Sequence, residues 1–378
     1  MKTNTPITTS IAPKEPTING LAFQPTKSQG GVTNRGGRYG KHALAAEANG
    51  CTQARGILSP PKSQTTLIKD KTKTIISRNF FPDVPFDRSI NPYRGCQLGC
   101  IYCFARPTHA YLGLSPGGDF STKIFYKPEA ARLLERELRK PNYHCRTVAL
   151  GTNTDPYQPV EKTLRLTRSI LEVLLAFRHP VSIVTKSALI IRDLDILKPM
   201  AEKGLVEVSL SIATLDHCLA NTLESLASKP MKRLGVIQTL ADAGIPCGII
   251  AAPIIPALND HELESILTSG RDTGATLASY ILMRVPLQVS DLFKEWLKNF
   301  EPNKAKEVMN ALAEISDGKN CQKEFVSRLK STGEYKAVLA KRFELIIKKL
   351  GYVGQSYELD VNQFCPPVKE DKQLALFK

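Results

Sequence analysis

The sequence has no long uninterrupted hydrophobic run. Its longest near-apolar stretch, CGIIAAPIIPAL at 247–258, is shorter than the about 20 apolar residues that a membrane-spanning helix needs, and two prolines interrupt it. The first twenty residues lack the apolar core of a signal peptide and carry three prolines. We therefore expect no membrane span and no secretion by that route.

The nine cysteines lack the dense, even-numbered pattern of a small disulfide-rich secreted domain. Six of them stand singly: Cys51, Cys145, Cys218, Cys247, Cys321 and Cys365. We interpret this usage as that of a protein in the reducing cytoplasm.

Acidic residues are in the minority, with 36 Asp and Glu against 51 Lys and Arg. The formal charge of +15 favours polyanionic partners such as nucleic acid, or simply keeps the protein soluble. The chain is long enough to bury one large core or two ordinary ones. We expect a monomer.

Large apolar residues are scarce in residues 1–60, which are rich in Pro, Gly, Thr, Ser and Lys. Because such a composition cannot offset the entropy lost on ordering, we predict a mostly disordered basic tail there. Within it, GGVTNRGGRYGKHA at 30–43 combines glycines with Arg35, Arg38 and Lys41. This stretch is either a solvated linker or an arm that folds over a site or contacts phosphates.

Residues 75–300 alternate short β-branched runs with helical patterns, which is typical of repeated βα units. Six strands are predicted, at 89–95, 147–152, 181–187, 206–214, 247–255 and 278–286, with helices near 164–177, 192–203, 230–243 and 260–273. Parallel pairing with right-handed crossovers gives an α/β fold, a partial (βα)6 TIM-type barrel, with a doubly wound open sheet as the alternative. Residues 301–378 are predicted to form a helical C-terminal extension, with an amphipathic helix at 334–352.

The remaining three cysteines are concentrated in GCQLGCIYC at 95–103, as Cys96, Cys100 and Cys103. Their C-x3-C-x2-C spacing differs from the paired C-x2-C units of structural zinc sites, and the chain has no second C-x2-C unit. Three thiolates from one loop suit a 4Fe-4S cluster whose fourth iron is left open. The open iron is then the place for chemistry; the alternatives are three packing cysteines or an incomplete zinc site.

With Tyr102 as its aromatic residue, this loop reads C-x3-C-x-aromatic-C and resembles the motif of the radical S-adenosylmethionine (SAM) superfamily. NPYRGCQLGCIYCFARPTHAYLG at 91–113 and LGTNTDPYQPVE at 150–161 are similar to the branch often labelled "DNA repair photolyase", relatives of spore photoproduct lyase. GGVTNRGGRYG also resembles the N-terminal segment of that branch. The resemblance covers roughly 75–300.

This resemblance implies an enzyme in which SAM binds the open iron through its amino and carboxylate groups. An electron from the cluster would cleave the sulfonium and yield a 5′-deoxyadenosyl radical. It also implies a reductant such as flavodoxin or ferredoxin. The substrate is unidentified, with nucleic acid as a candidate.

The resemblance further implies which residues contact the cofactor. The positions that match are Tyr102 of the loop, Thr152, Asn153, Thr154 and Asp155 for the amino group, Lys186 for the carboxylate, and Ser209 and Ser211 for the carboxylate or ribose. The two serines are two residues apart and so face one side of their strand. A polar turn at 152–155 and a surface lysine at 186 are the structural alternatives.

Five residues are candidates either for contact with a substrate base or for packing at the barrel mouth: Tyr93, Arg94, Asn153, Tyr157 and Gln158.

The sequence departs from these relatives at two positions. Gly151 stands where spore photoproduct lyase has its hydrogen-donor cysteine, and Leu226 stands where this branch has an arginine. Thymine-dimer repair by that route is therefore disfavoured. Two other functions stay open: an iron-sulfur electron carrier or redox sensor without SAM chemistry, and a zinc-stabilised nucleic-acid-binding module.

Overall fold

The computed structural model describes residues 65–80, 86–283, 285–315 and 334–368. The predicted tail at 1–60 lies outside these residues. No helix within the described ranges has both the length and the apolar character needed to span a membrane.

The strands form two sheets. They are β1 (Thr66–Lys69), β2 (Ile76–Arg78), β3 (Arg88–Ile90), β4 (Tyr93–Arg94), β5 (Lys123–Tyr126), β6 (Val148–Leu150), β7 (Val181–Thr185), β8 (Val206–Ile212), β9 (Cys247–Ile254) and β10 (Leu277–Leu282). The larger sheet has the order β10-β9-β8-β7-β6-β3-β2, in which β3 and β6 to β10 are parallel and β2 pairs antiparallel with β3. In the smaller sheet, β5 lies between β1 and β4.

Helices connect and cover these strands. They are α1 (Asp119–Thr122), α2 (Ala130–Leu138), α3 (Glu161–Leu164), α4 (Leu166–Ala176), α5 (Leu194–Ala201), α6 (His217–Leu223), α7 (Pro230–Asp242), α8 (Leu263–Asp272), α9 (Leu287–Phe300), α10 (Ala305–Ile315) and α11 (Glu334–Leu350).

The order of the parallel strands distinguishes the two predicted architectures. A doubly wound sheet reverses its strand order at a switch point, whereas these six strands follow one another in chain order. The partial (βα)6 barrel is therefore confirmed, and a strand of it lies in each predicted region. The predicted strand at 89–95 is divided, however, between β3 of the barrel and β4 of the smaller sheet.

The alternation of side chains along β8 shows how the barrel is packed. Val206, Val208, Leu210 and Ile212 are fully buried and belong to one hydrophobic cluster with the helices outside the sheet. The intervening residues, Glu207 among them, face the other side. The period-two alternation of β8 thus predicts which of its side chains face the barrel interior, and polar residues such as Glu207 are among them.

The C-terminal segment, residues 351–368, runs along the end of the barrel where the strands begin, called here the amino end. Backbone hydrogen bonds join it to the turns before β7 and β8: Cys365 N to Phe177 O at 3.0 Å, and Asp360 N to Gly204 O at 3.0 Å. The predicted extension is thus helical in α10 and α11, whereas residues 351–368 are not helical.

Candidate active site at the carboxyl ends of the strands

The cluster loop, residues 95–103, follows β4 and packs at the end of the barrel where the strands finish. Cys96 and Cys100 are 7% and 8% exposed. They share a hydrophobic cluster with Phe293 and Trp296 of α9. Active sites of TIM-type barrels lie at this carboxyl end.

A buried glutamine holds the start of the cluster loop. Gln158 is fully buried; its Oε1 accepts from Gln97 N at 2.9 Å, and its Nε2 donates to Gly95 O at 3.3 Å. These two bonds flank Cys96. Gln158 is therefore committed to the loop's backbone rather than presented to a substrate.

Two of the thiols receive backbone donors as well as burial. The Asp155 amide donates to Cys96, and the amides of Ala105 and Arg106 donate to Cys103. Burial raises the pKa of the Cys96 thiol, and it raises the pKa of Cys100 to about 12. Amide donors of this kind are suited to sulfurs that carry negative charge.

A buried arginine reinforces the same loop. Arg106 has no solvent-exposed surface, and its guanidinium donates to the carbonyls of Gly99, Cys100, Pro116 and Gly117 at 2.8 to 3.0 Å. The cation thus lies beside the cysteines at a place where anionic sulfurs would balance its charge.

Asn91, just beyond β3, holds the first half of the loop at 152–155. Its side chain donates to Thr152 Oγ1 at 3.1 Å and accepts from Asn153 N at 3.1 Å. Thr154 is buried and bonds to Tyr93 O at 3.4 Å, whereas Asn153 is exposed. The predicted polar turn at 152–155 is thus present. Of Thr152, Asn153 and Thr154, only Asn153 has an exposed side chain.

Asp155 ties this loop to the end of β7. Its carboxylate accepts from Thr185 Oγ1 and Lys186 N, both at 2.7 Å, and from Tyr157 N at 2.8 Å. Burial raises the pKa of the Asp155 carboxyl. Because both oxygens already have donors, the structure gives Asp155 a bracing role, and its contact with an amino group stays a prediction.

Lys186, Ser211 and Tyr102 meet beside the cluster loop. Lys186 Nζ lies 2.5 Å from Ser211 Oγ and 5.8 Å from the centroid of the Tyr102 ring. Ser209 lies on the same side of β8 but faces Gly248, where an added Cβ would come within 2.9 Å of the serine Oγ. The structure therefore brings together three of the predicted cofactor contacts, Tyr102, Lys186 and Ser211. Ser209 lies two residues earlier on β8, further from the carboxyl end.

Gly151 cannot be replaced without moving the backbone. Its φ is +90°, and a Cβ there would lie 2.0 Å from Val184 O. Glycine is therefore required by the close approach of β6 and β7. The absence of a cysteine at this position has a steric cause in this chain.

The other substrate candidates divide by exposure. Tyr93 and Tyr157 are each 1% exposed, and Tyr93 OH donates to Glu161 inside the protein. Arg94 is exposed and pairs with Asp70 at 2.8 Å. The two tyrosines are thus packed inside the protein, whereas Asn153 and Arg94 are exposed, and substrate contact by any of them stays a prediction.

Glu224 and Arg233 are further charged residues of the site that were not among the predicted site residues. They are 2% and 1% exposed and pair with each other; Glu224 also accepts from Tyr102 OH and lies 3.4 Å from Lys186 Nζ. Burial would raise the pKa of Glu224, but Arg233 and Lys186 lower it, so the carboxylate stays ionised. Glu224 occupies the acidic position of the acidic-proline-arginine step in which Leu226 stands at the arginine position, but neither it nor Arg233 was assigned a role from the sequence.

The chain is similar to several proteins of bacteria and archaea. It is 39% identical over 221 residues to an uncharacterized protein of Mycobacterium tuberculosis, covering 58% of this chain and 65% of that protein. It is 30% identical over 251 residues to an uncharacterized protein of Methanocaldococcus jannaschii, covering 66% of this chain and 90% of that protein. The match thus spans about two thirds of the length of the mycobacterial relative.

Solved structures show the same fold. A mutant of spore photoproduct lyase with bound AdoMet and dinucleoside spore photoproduct matches with a TM-score of 0.55 at 14% identity, over 82% of this chain and 88% of that one. Another spore photoproduct lyase structure, complexed with dinucleoside spore photoproduct, also gives 0.55 over 80% and 86%. The model of the radical SAM superfamily matches residues 90–269. The chain therefore belongs to the radical SAM superfamily.

Proposed function

We propose that this protein is an enzyme that binds a 4Fe-4S cluster through Cys96, Cys100 and Cys103 and binds SAM on the open iron. Its reaction would be the reductive cleavage of SAM, followed by hydrogen abstraction from a substrate. The observation that carries the proposal is the meeting of Lys186 and Ser211 with Tyr102 of the cluster loop. A cation and a hydroxyl beside three cysteines suit the carboxylate of a ligand held at the cluster.

The residues present fit such a cluster. The loop offers three buried or half-buried thiols, backbone donors to two of them and the Arg106 cation beside them. Ser225 Oγ, in the chain that runs beside the loop, is buried without a hydrogen-bond partner within the described residues. A group bound next to the loop would supply the partner that this hydroxyl lacks.

A single metal ion fits less well. In the part of the chain that the structure describes, no three His, Cys, Asp or Glu side chains converge closely enough to hold one ion. A zinc ion needs four ligands at about 2.0–2.3 Å, whereas a cuboidal cluster is bound by thiolates at separate irons. The C-x3-C-x2-C spacing, without a second C-x2-C unit in the chain, favours the cluster over the zinc-stabilised module.

The bound cluster and SAM would supply an electron and a 5′-deoxyadenosyl radical. The protein's own residues would bind and orient. Lys186 and Ser211 would hold the carboxylate, Asn91 and Asp155 would keep the loop at 152–155 in place for the amino group, and Ser209 would contact the carboxylate or the ribose. Burial by Phe293 and Trp296 excludes water from the back of the cluster loop.

The electron-carrier alternative gives no reason for a lysine at the end of β7. Electron paramagnetic resonance of the anaerobically reconstituted, reduced protein, recorded with and without SAM, tests this alternative. Our proposal predicts a change in the cluster spectrum when SAM is added. An unchanged spectrum at saturating SAM would favour the electron carrier.

Nucleic acid is our candidate substrate class, since a spore photoproduct lyase of similar fold was solved in complex with a dinucleoside spore photoproduct and the chain carries a charge of +15. Because Gly151 excludes a cysteine at the end of β6, we expect no restoration of thymine dimers by that route. The test is incubation of irradiated DNA with enzyme, SAM and a reductant. Dimers restored at a catalytic rate would contradict this expectation.

A further inference from the structure

Glu224 is the centre of a buried charge network. Its carboxylate accepts from Tyr102 OH and from Arg233, and it lies 3.4 Å from Lys186 Nζ. Arg233 also donates to Ser211 O at 2.6 Å. One carboxylate therefore contacts the cluster loop, the lysine of β7 and a cation that is bound to β8.

The backbone around Glu224 joins the same elements. Ile101 N donates to Leu223 O at 3.1 Å, and Leu226 N donates to Leu98 O at 3.4 Å, so the chain on both sides of Glu224 is bonded to the cluster loop. Two residues further on, Ser228 N donates to Lys186 O at 3.2 Å. Residues 223–228, the linking segment, thus bridge the loop and the end of β7.

The charges of these three side chains do not cancel. Lys186 and Arg233 are cations and Glu224 is their shared carboxylate, which leaves one net positive charge on the three; the Lys186 side chain is 15% exposed, so a ligand can reach it. A buried charge needs a partner, and a carboxylate of a ligand would balance this one. Glu224 can then restrain the lysine while leaving charge available for that ligand.

We propose that Glu224 is a positioning residue, which holds the Lys186 ammonium where a SAM carboxylate binds and links that position to the cluster loop through Tyr102. This inference rests on the proposed function. It assigns to the linking segment the role of aligning two parts of the site that come from different strands. Leu226, which stands where the family resemblance implies an arginine, is 46% exposed and lies outside this network of charges.

A double-mutant cycle tests the proposal. SAM affinity is measured by equilibrium binding to reconstituted protein with Glu224→Gln, Lys186→Met and both changes. Glu224→Gln alone should weaken binding about tenfold or more, the scale of a lost charged hydrogen bond, and should have less than about a threefold effect when Lys186 is already Met. Additive effects, or tighter binding in Glu224→Gln, would show that Glu224 does not act by positioning the lysine.

Matched controls separate this role from folding. Glu207→Gln alters another buried glutamate of the barrel, whose carboxylate accepts from Tyr357 N at 2.7 Å. It should leave SAM affinity within about twofold, because Glu207 lies at the amino end and shares no partner with Lys186. If Glu224→Gln fails to fold, as judged by thermal melting and iron content, the same cycle is run with Tyr102→Phe, which keeps every charge. An equal loss of affinity for Tyr102→Phe with and without Lys186 would overturn the proposal.

The iron content and the SAM binding of the wild-type protein distinguish a failure of the proposed function from a failure of this inference alone. If the wild type carries its cluster but binds no SAM, the proposed function fails and this inference fails with it. If the wild type binds SAM and the Glu224 and Tyr102 effects are additive with Lys186→Met, only this inference fails.

Discussion

The two ends of the barrel are held together by different kinds of contact. At the carboxyl end, charged and polar side chains such as Asp155, Glu224 and Arg233 bond to one another and to short loops. At the amino end, the C-terminal segment is fixed chiefly by backbone hydrogen bonds and by the Phe364 ring. The comparison indicates that chemistry is placed at one end and closure of the fold at the other, as is general for barrels of this type.

The largest expected effect is loss of the cluster. Cys96→Ala, Cys100→Ala or Cys103→Ala should each remove it, because each thiolate would bind a different iron. Iron analysis after anaerobic reconstitution should fall from about four iron per chain to background. Cys145→Ser and Cys365→Ser, near the amino end, should retain full iron; equal loss in these variants would contradict the assignment.

A large effect on cofactor binding is expected at Lys186. Lys186→Met should weaken SAM binding by about 1–3 kcal/mol, the cost of a lost charged hydrogen bond, and leave the iron content unchanged. Equilibrium binding measures the affinity, and a control at the amino end is Glu207→Gln. An unchanged affinity in Lys186→Met would remove the lysine from the cofactor site.

Replacement of Gly151 should destabilise the carboxyl end. Gly151→Ala places a Cβ against Val184 O in addition to the strain of a positive φ, and we expect a loss of more than about 2 kcal/mol of unfolding free energy. Gly244→Ala is the matched control, since Gly244 has a φ of +72° with nothing within 4 Å of its added Cβ. Chemical denaturation should show that the control loses about 1 kcal/mol of unfolding free energy. Equal losses in the two variants would show that steric overlap with Val184 O does not cause the destabilisation.

The smallest effect is expected at the amino end. Phe364 packs against Tyr143, Phe177 and His179 with ring centroids 5.4 to 6.4 Å apart. Because the ring is only partly buried, Phe364→Ala should cost about 1–2 kcal/mol of stability, less than a fully buried phenylalanine. SAM affinity should not change, and a tenfold loss would show that the two ends are coupled.

The parts that sequence predicted are those with a local pattern. The strands follow from β-branched runs, and the cluster loop follows from three cysteines within eight residues. Lys186 and Ser211 follow from a family resemblance at strand ends, and the structure places them in contact.

The parts that sequence missed depend on distant residues. Glu224, Arg233 and Arg106 are charged residues whose burial is decided by tertiary contacts, so the sequence did not predict their places in the site. The C-terminal segment is not helical and pairs with turns, so it shows neither helical nor strand alternation. Gln158 was assigned equally to substrate or packing because an isolated amide is compatible with both.

The central claim is that the carboxyl end cleaves SAM reductively. The direct measurement is anaerobic incubation of the reconstituted protein with SAM and dithionite, followed by chromatography for 5′-deoxyadenosine and methionine. We predict that both form in equal amounts in the wild type and that neither forms in Cys100→Ala. An intact cluster of about four iron that never yields 5′-deoxyadenosine would contradict the account.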